Sequence, residues 1–286
     1  MLERYMDLLN QLKLLNSGLA VPGLGATQLD LALAPRFDRF LIGARHYRPP
    51  KQNGLPIRLF EMQKHLVHDF FSFQINFWEI GRQVTKTSLS ALLLCFLSKE
   101  MAGDVLVESY HMERSQEIIL YTKEYCRQHM DAFYAENMAN DATDSLIFKT
   151  GLRIIALPSG QGARGYSPIL LITDESQLIP DDDISAFLPT TLATAAKRLH
   201  MGTVHGTNNW FWRLGQRHEE LGYGYRHIKS EEALEPNGPV IKAELDRLKL
   251  ELGELKYQEE CDLVPIPDIG TFFGRELADS VFGKRI

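Results

Sequence analysis

Cysteine is scarce in this chain, with only three among 286 residues, at positions 95, 126 and 261. They are odd in number and widely spaced, so they form neither a zinc pattern nor a disulfide framework. That excludes a stapled secreted scaffold and fits a reducing compartment. Cys95 stands inside Leu92-Leu93-Leu94-Cys95-Phe96-Leu97 and reads as a small buried hydrophobe. Long apolar runs are missing too: the longest, around 91–97, falls far short of the ~20 residues a membrane span needs. No basic-plus-apolar leader opens the chain, so the expectation is a protein with no membrane association. Positive charge is not in excess, because the net charge is −6. This excludes a globally basic nucleic-acid coat and leaves room only for a local basic patch, or one made by an assembled ring. There is no internal repeat and no low-complexity tract. His65 with His68, and His200 with His205, have no convincing further partners for a metal.

What is present is a core-forming composition. Hydrophobic residues make up 44% of the chain, enough for one α/β domain with a full core, or a core with a small appendage. Residues 1–16 carry apolar positions at helical spacing, and 17–57, rich in Gly, Pro and Arg, read as an irregular arm; 1–58 is thus expected to be an N-terminal helical arm. Strand candidates then follow at 72–80, 104–109, 151–157, 168–174 and 199–204, with helical stretches at 87–101, 112–138 and 183–197. Such alternation predicts an α/β fold with a mostly parallel central sheet flanked by helices. Ile169-Leu170-Leu171-Ile172 lacks polar alternation, as a central strand buried on both faces should. Residues 240–260 read as a charged helix ending at or beyond Gly253, its acidic face over 244–259 solvated. Trp210-Phe211-Trp212 reads as core packing or a contact between subdomains.

Two segments carry chemistry. Gly81-Arg82-Gln83-Val84-Thr85-Lys86-Thr87-Ser88 sits between a predicted strand and a predicted helix, the setting a phosphate loop requires. Backbone N–H groups at the helix start would face the phosphates of ATP, Lys86 would reach the β and γ oxygens, and Thr87 would supply a hydroxyl to Mg²⁺. The generic pattern fails at two places, because Ile80 and Thr85 stand where glycines are usual. By itself the segment is therefore also readable as a Lys/Thr-rich helix start. About 90 residues later, Ile169–Glu175 is an apolar strand ending in two adjacent carboxylates. It would deliver Asp174 to the metal and Glu175, as general base, to an attacking water. The pair of segments is far more specific than either alone. The nearby Asp181-Asp182-Asp183 reads instead as an acidic loop.

Taken together, these residues resemble the large terminase subunits of tailed phages and related viruses. Arg82-Gln83 precede Thr85-Lys86-Thr87 as Arg-Gln precede the lysine in that family's phosphate loop. Leu59-Phe60-Glu61-Met62-Gln63 resembles its adenine-recognition element, and Ala163-Arg164-Gly165-Tyr166-Ser167 resembles the segment before its acidic strand. Gly202-Thr203-Val204-His205-Gly206-Thr207-Asn208-Asn209 resembles its coupling motif. The matches run in the family's order over roughly 59–275. The resemblance implies a P-loop NTPase of the additional-strand type with a small helical lid subdomain: an ATPase core over 59–230 and a lid or linker over 231–286. It implies ATP and Mg²⁺ as ligands, with Gln63 and residues 81–88 binding nucleotide. Arg164 would be a finger donated to a neighbouring subunit, Arg82 a γ-phosphate sensor and Thr203 a sensor of the hydrolysed state. As plain structure, Arg164 would be a loop arginine and Arg82 a surface or carboxylate-paired one. Thr203 would then be a strand-end hydroxyl and Gln63 a helix-surface amide.

The implied partners are double-stranded DNA, a portal protein, a small terminase subunit and further copies of the chain in a ring, a homopentamer. The implied location is the host cytoplasm, with transient residence at the procapsid portal. Thr85 departs from the family's glycine, which points to slower turnover or weaker nucleotide binding. The acids after Glu260 are too sparse for the family's nuclease, so DNA cleavage is not expected of this polypeptide. Two other readings stay open: a helicase-like translocase of another P-loop branch, and a nucleotide-binding scaffold with a weakened loop.

Overall fold

A computed structural model describes residues 59–82 and 84–266. The predicted arm over 1–58, the tail from 267, and Gln83 lie outside the described residues. The first described element is helix α1 (Glu61–Ser72), followed by strand β1 (Ile75–Ile80) and helix α2 (Lys86–Leu97). The predicted strand over 72–80 therefore starts three residues late, because Ser72 is still helical and its hydroxyl bonds the carbonyl of His68. α2 is apolar nearly all round, and every residue from Leu89 to Leu97 is buried, as in a helix enclosed by core rather than lying on a surface. Cys95 is among them, fully buried.

β2 (Gly103–Ser109) leads into α3 (Met112–His129), α4 (Asp131–Asn137) and a hairpin of β3 (Met138–Asp141) and β4 (Ser145–Phe148). The single helix expected over 112–138 is thus broken at Met130, whose backbone (φ −137, ψ 36) is not helical. Next come β5 (Leu152–Pro158), β6 (Leu170–Asp174), α5 (Asp181–Phe187) and β7 (Lys197–Gly202). The helix expected over 183–197 instead covers 181–187. A 3-10 turn at Leu188–Thr191, carrying Pro189 in its first turn, ends the α-helical run. Asp181, Asp182 and Asp183 form the first turn of α5 rather than a loop, where carboxylates complement the partial positive charge of the helix start. The chain continues through α6 (Trp210–Gly215), α7 (His218–Leu221), β8 (Gly224–Ile228), α8 (Lys242–Leu252) and α9 (Glu254–Glu260). The charged helix expected over 240–260 is two helices, divided at Gly253 (φ 72).

Among the described residues the strands form one eight-stranded sheet in the order β3-β4-β5-β2-β6-β7-β1-β8, parallel from β5 to β8, with the β3–β4 hairpin antiparallel at one edge. β7 is hydrogen-bonded between β1 and β6, so one extra strand separates the two segments singled out for chemistry. This is the additional-strand arrangement of P-loop ATPases. Side chains alternate across the sheet. Val105, Val107, Leu170 and Ile172 face a core shared with α1, α2 and α3. Leu106, Leu171 and Phe77 face a second core closed by Phe187, Trp210 and Phe211. Trp210 and Phe211 are thus core residues. Ala233, Val240, Leu245, Tyr257 and Cys261 belong to the first core.

β6 is buried at every position, which sets a direct test. Ile172→Ala deletes three carbons from a fully enclosed side chain. It is expected to lower stability by about 2–5 kcal/mol in urea unfolding.

Candidate active site

In a parallel sheet all carboxyl ends share one edge, so the turns after β1, β6 and β7 meet there. They border a cleft of about 710 Å³ lined by Gln63, Arg82, Lys86, Asp174, Glu175 and Thr203, among others. The turn after β1 fits its place only because residue 81 is glycine. A Cβ there would lie 2.5 Å from Ser230 Oγ and 2.9 Å from Ser230 N. Gly81 N–H donates to the carbonyl of Ile228 (2.9 Å) and Arg82 N–H to that of Glu260 (3.2 Å), fixing the loop to the end of β8 and the end of α9. α2 then starts at Lys86. The N–H groups of its first turn have no carbonyl partner within the helix and open toward the cleft edge, as anion binding requires. Val84 is buried beneath the loop, and Ser88 hydrogen-bonds Tyr125.

Lys86 Nζ lies against the carbonyls of Ile80 (2.8 Å) and Gly81 (3.5 Å). Burial disfavours its charge and lowers its pKa to about 8, an effect the nearby Asp174 carboxylate only partly offsets. Asp174, 3% exposed, is pushed above the usual carboxylate range, also by burial. Its Oδ2 accepts from Thr87 Oγ1 (3.1 Å) and its Oδ1 from the N–H of Glu175 (2.9 Å). A hydroxyl and a carboxylate, both hard oxygen donors, meet at one point beside the turn after β1. That donor set fits Mg²⁺, which commonly takes one or two protein oxygens and fills its shell with phosphate and water.

Glu175 has a left-handed backbone (φ 49), and one of its oxygens lies 3.4 Å from Arg114 Nε. Thr203 follows β7, and its N–H donates to Gln177 Oε1 (3.2 Å). The same Gln177 oxygen would clash with a Cβ on residue 202, so Gly202 is what lets the turn after β6 touch β7. Behind the site, Thr173 Oγ1 bonds Ser176 Oγ (2.7 Å) and His200 Nδ1 (2.8 Å). His200 is a buried packing residue between Phe77 and Trp210.

Of the residues singled out by sequence, Gln63, Arg82, Val84, Thr85, Lys86, Thr87, Ser88, Asp174, Glu175 and Thr203 converge on this cleft. Arg82 is paired with a carboxylate, its Nε and an Nη group reaching Glu260 at 2.5 and 3.1 Å. Gln63 is buried rather than a helix-surface amide. Arg164 is exposed on the loop after β5, at the same sheet edge but outside the lining of the cleft.

Sequence reasoning missed two contributors. α3 presents Arg114, Glu117, Tyr121 and Tyr125 to the cleft. Their spacing is that of one helix stripe, the signal that could have found them. α9 presents Lys256 and Glu260. The expected solvated acidic face holds at Glu244, Asp246, Glu251 and Glu254, which are exposed. It fails at Glu259, which is buried and accepts from Gly206 N–H (3.2 Å) and Lys256 Nζ (2.6 Å).

No family model matches the chain, and no curated protein matches it. Solved structures do. The large terminase of bacteriophage HK97 aligns over 88% of this chain and 52% of its own, at 16% identity and TM-score 0.60. The large-terminase ATPase domain of Thermus phage P74-26 aligns over 77% of this chain and all of its own, at 14% identity and TM-score 0.57. The large terminase of a thermophilic bacteriophage, in complex with ATP-gamma-S, aligns over 72% of this chain and 53% of its own, at 13% identity and TM-score 0.56. The chain spans about half the length of the longer terminases it matches. It has the fold of phage large-terminase ATPase domains.

Lys86 supplies a measurable signature of the cleft. With its pKa lowered from 10.5 to about 8, folded protein binds fewer protons than unfolded between those values. The cost of burying the charge is therefore complete below pH 8 and fades as pH climbs toward 10.5. Lys86→Met is expected to be the more stable protein at pH 7, by up to roughly 3 kcal/mol. Its advantage should shrink steadily by pH 10 in a pH series of urea unfolding curves.

Proposed function

We propose that this chain is the ATP-hydrolysing motor domain of a viral terminase large subunit, of the tailed-phage type, which powers translocation of double-stranded DNA into a procapsid. The observation that carries the reading is the meeting of Lys86, the Thr87–Asp174 hydrogen bond and Glu175 at one end of one cleft. The shared fold with terminase ATPase domains, and with a terminase in complex with ATP-gamma-S, supports it.

In this reading the first-turn N–H groups of α2 and Lys86 bind the triphosphate. Thr87 and Asp174 are the residues that would hold Mg²⁺, whose charge offsets that of the β and γ oxygens. Glu175 accepts a proton from the attacking water, and Arg114 holds that carboxylate at the cleft wall. Arg82 exchanges Glu260 for the γ-phosphate. Thr203, tied through its N–H to Gln177 in the turn that carries Glu175, carries the change at the phosphate into β7. Arg164, exposed and outside its own cleft, is suited to reach a neighbouring copy, where a guanidinium stabilises transition-state charge. The partners in this reading are double-stranded DNA, a portal protein, a small terminase subunit and a homopentameric ring. The place is the host cytoplasm, and transiently the procapsid portal.

A steady-state ATPase assay with and without double-stranded DNA tests the reading. Mg²⁺-dependent hydrolysis, raised by DNA, is expected; nucleotide binding with no turnover under either condition would instead mark a scaffold with a dead loop. Glu175→Gln is expected to cut turnover by about 10²–10⁴-fold while nucleotide still binds, the range a general base contributes. Arg164→Ala should silence assembled rings and leave nucleotide binding to the isolated chain unchanged. Full activity of Arg164→Ala rings would remove the trans role.

A further inference from the structure

Thr85 occupies a backbone conformation (φ 64, ψ 30) that side chains branched at Cβ rarely adopt. It does so at the residue that turns the phosphate loop into α2, the place where that loop usually exploits glycine. Such a conformation persists only where its surroundings over-determine it. Among the described residues, the restraint on its hydroxyl comes from one side chain. Gln63 Nε2 donates to Thr85 Oγ1, and Gln63 Oε1 accepts the N–H of Phe60 at 3.1 Å. The amide cannot be turned over, because a backbone N–H only donates and must meet the oxygen. The nitrogen is therefore committed to the Thr85 hydroxyl. Gln63 is 7% exposed, and its helix is locked into the core by Leu66, Val67 and Phe70. A rigid bracket thus runs from the start of α1 to the turn of the phosphate loop.

We propose that Gln63 is a positioning residue for the phosphate loop: through the Thr85 hydroxyl it holds the left-handed turn that aims the start of α2 into the cleft. The inference deepens the phosphate-loop reading above and rests on it. Gln63 then serves the phosphates before it serves any base. The threonine, a departure from glycine, is matched by the amide that restrains it. Leu59 and Phe60 line the same end of the cleft, so a base lying there shares the bracket with the phosphates.

The experiment uses two probes on the full chain: ATP, and tripolyphosphate, which has no base. Gln63→Ala should weaken both by about fivefold or more, the worth of one lost hydrogen bond. Thr85→Val, which keeps the branch and loses the acceptor, should do the same, and Thr85→Ser should restore binding. Since Gln63 also caps α1, thermal unfolding checks each variant, and Thr85→Val reaches the bracket without touching that cap. In a Thr85→Gly background, where the turn needs no restraint, Gln63→Ala should no longer weaken tripolyphosphate. If Gln63→Ala weakens ATP but not tripolyphosphate, Gln63 is a base reader and the proposal is wrong. Independent, additive effects of the two substitutions would overturn it equally. Wild-type protein that binds neither probe would overturn the phosphate-loop reading, and this one with it.

Discussion

Removing an ammonium group and a carboxylate from water costs more than their mutual attraction returns unless close geometry and further hydrogen bonds offset it. The cleft nevertheless has Lys86 and Asp174 in the same lining, with burial working against the charge of both. A cluster so disposed is stabilised by ligands of opposite sign: an anion for the lysine, a cation for the carboxylate. A nucleoside triphosphate with its magnesium brings both. The rest of the molecule serves to hold these two groups in place. β1 and β6, with β7 between them, set their separation. Gly81 allows the loop to lie against Ser230, and Thr87 ties the start of α2 to the acidic strand.

How much of this was legible depended on burial. β6 and β2 have unbroken apolar runs, and their predicted limits fall within two residues of those observed. β8 was invisible because Tyr225, Arg226 and His227 read as polar, although their strand completes the parallel sheet beside β1. β3 was invisible because Met138-Ala139-Asn140-Asp141 is an exposed edge with no buried face to create alternation. The helix over 112–138 was drawn too long because nothing in the composition marks Met130 as a break.

The chemical residues show the same division. Lys86, Thr87, Asp174 and Glu175 could be read because the backbone places them at fixed steps from a strand end, so spacing alone locates them. Arg114 and Glu260 could not, because they enter the cleft from helices whose docking is a matter of tertiary packing. Arg82 was legible as an arginine in the turn after β1, but not as the partner of a carboxylate 178 positions further along the chain.

That carboxylate has an immediate neighbour with a different attachment. Glu260 grips the turn after β1 through Arg82, while Glu259 grips the chain after β7 through the N–H of Gly206. Both belong to one seven-residue helix, anchored by Tyr257 and set off from α8 by Gly253. Consecutive side chains on so short a rod cannot exchange partners independently. Any ligand that draws the guanidinium away from the helix frees one end of a rocker whose other arm rests on the chain leaving β7.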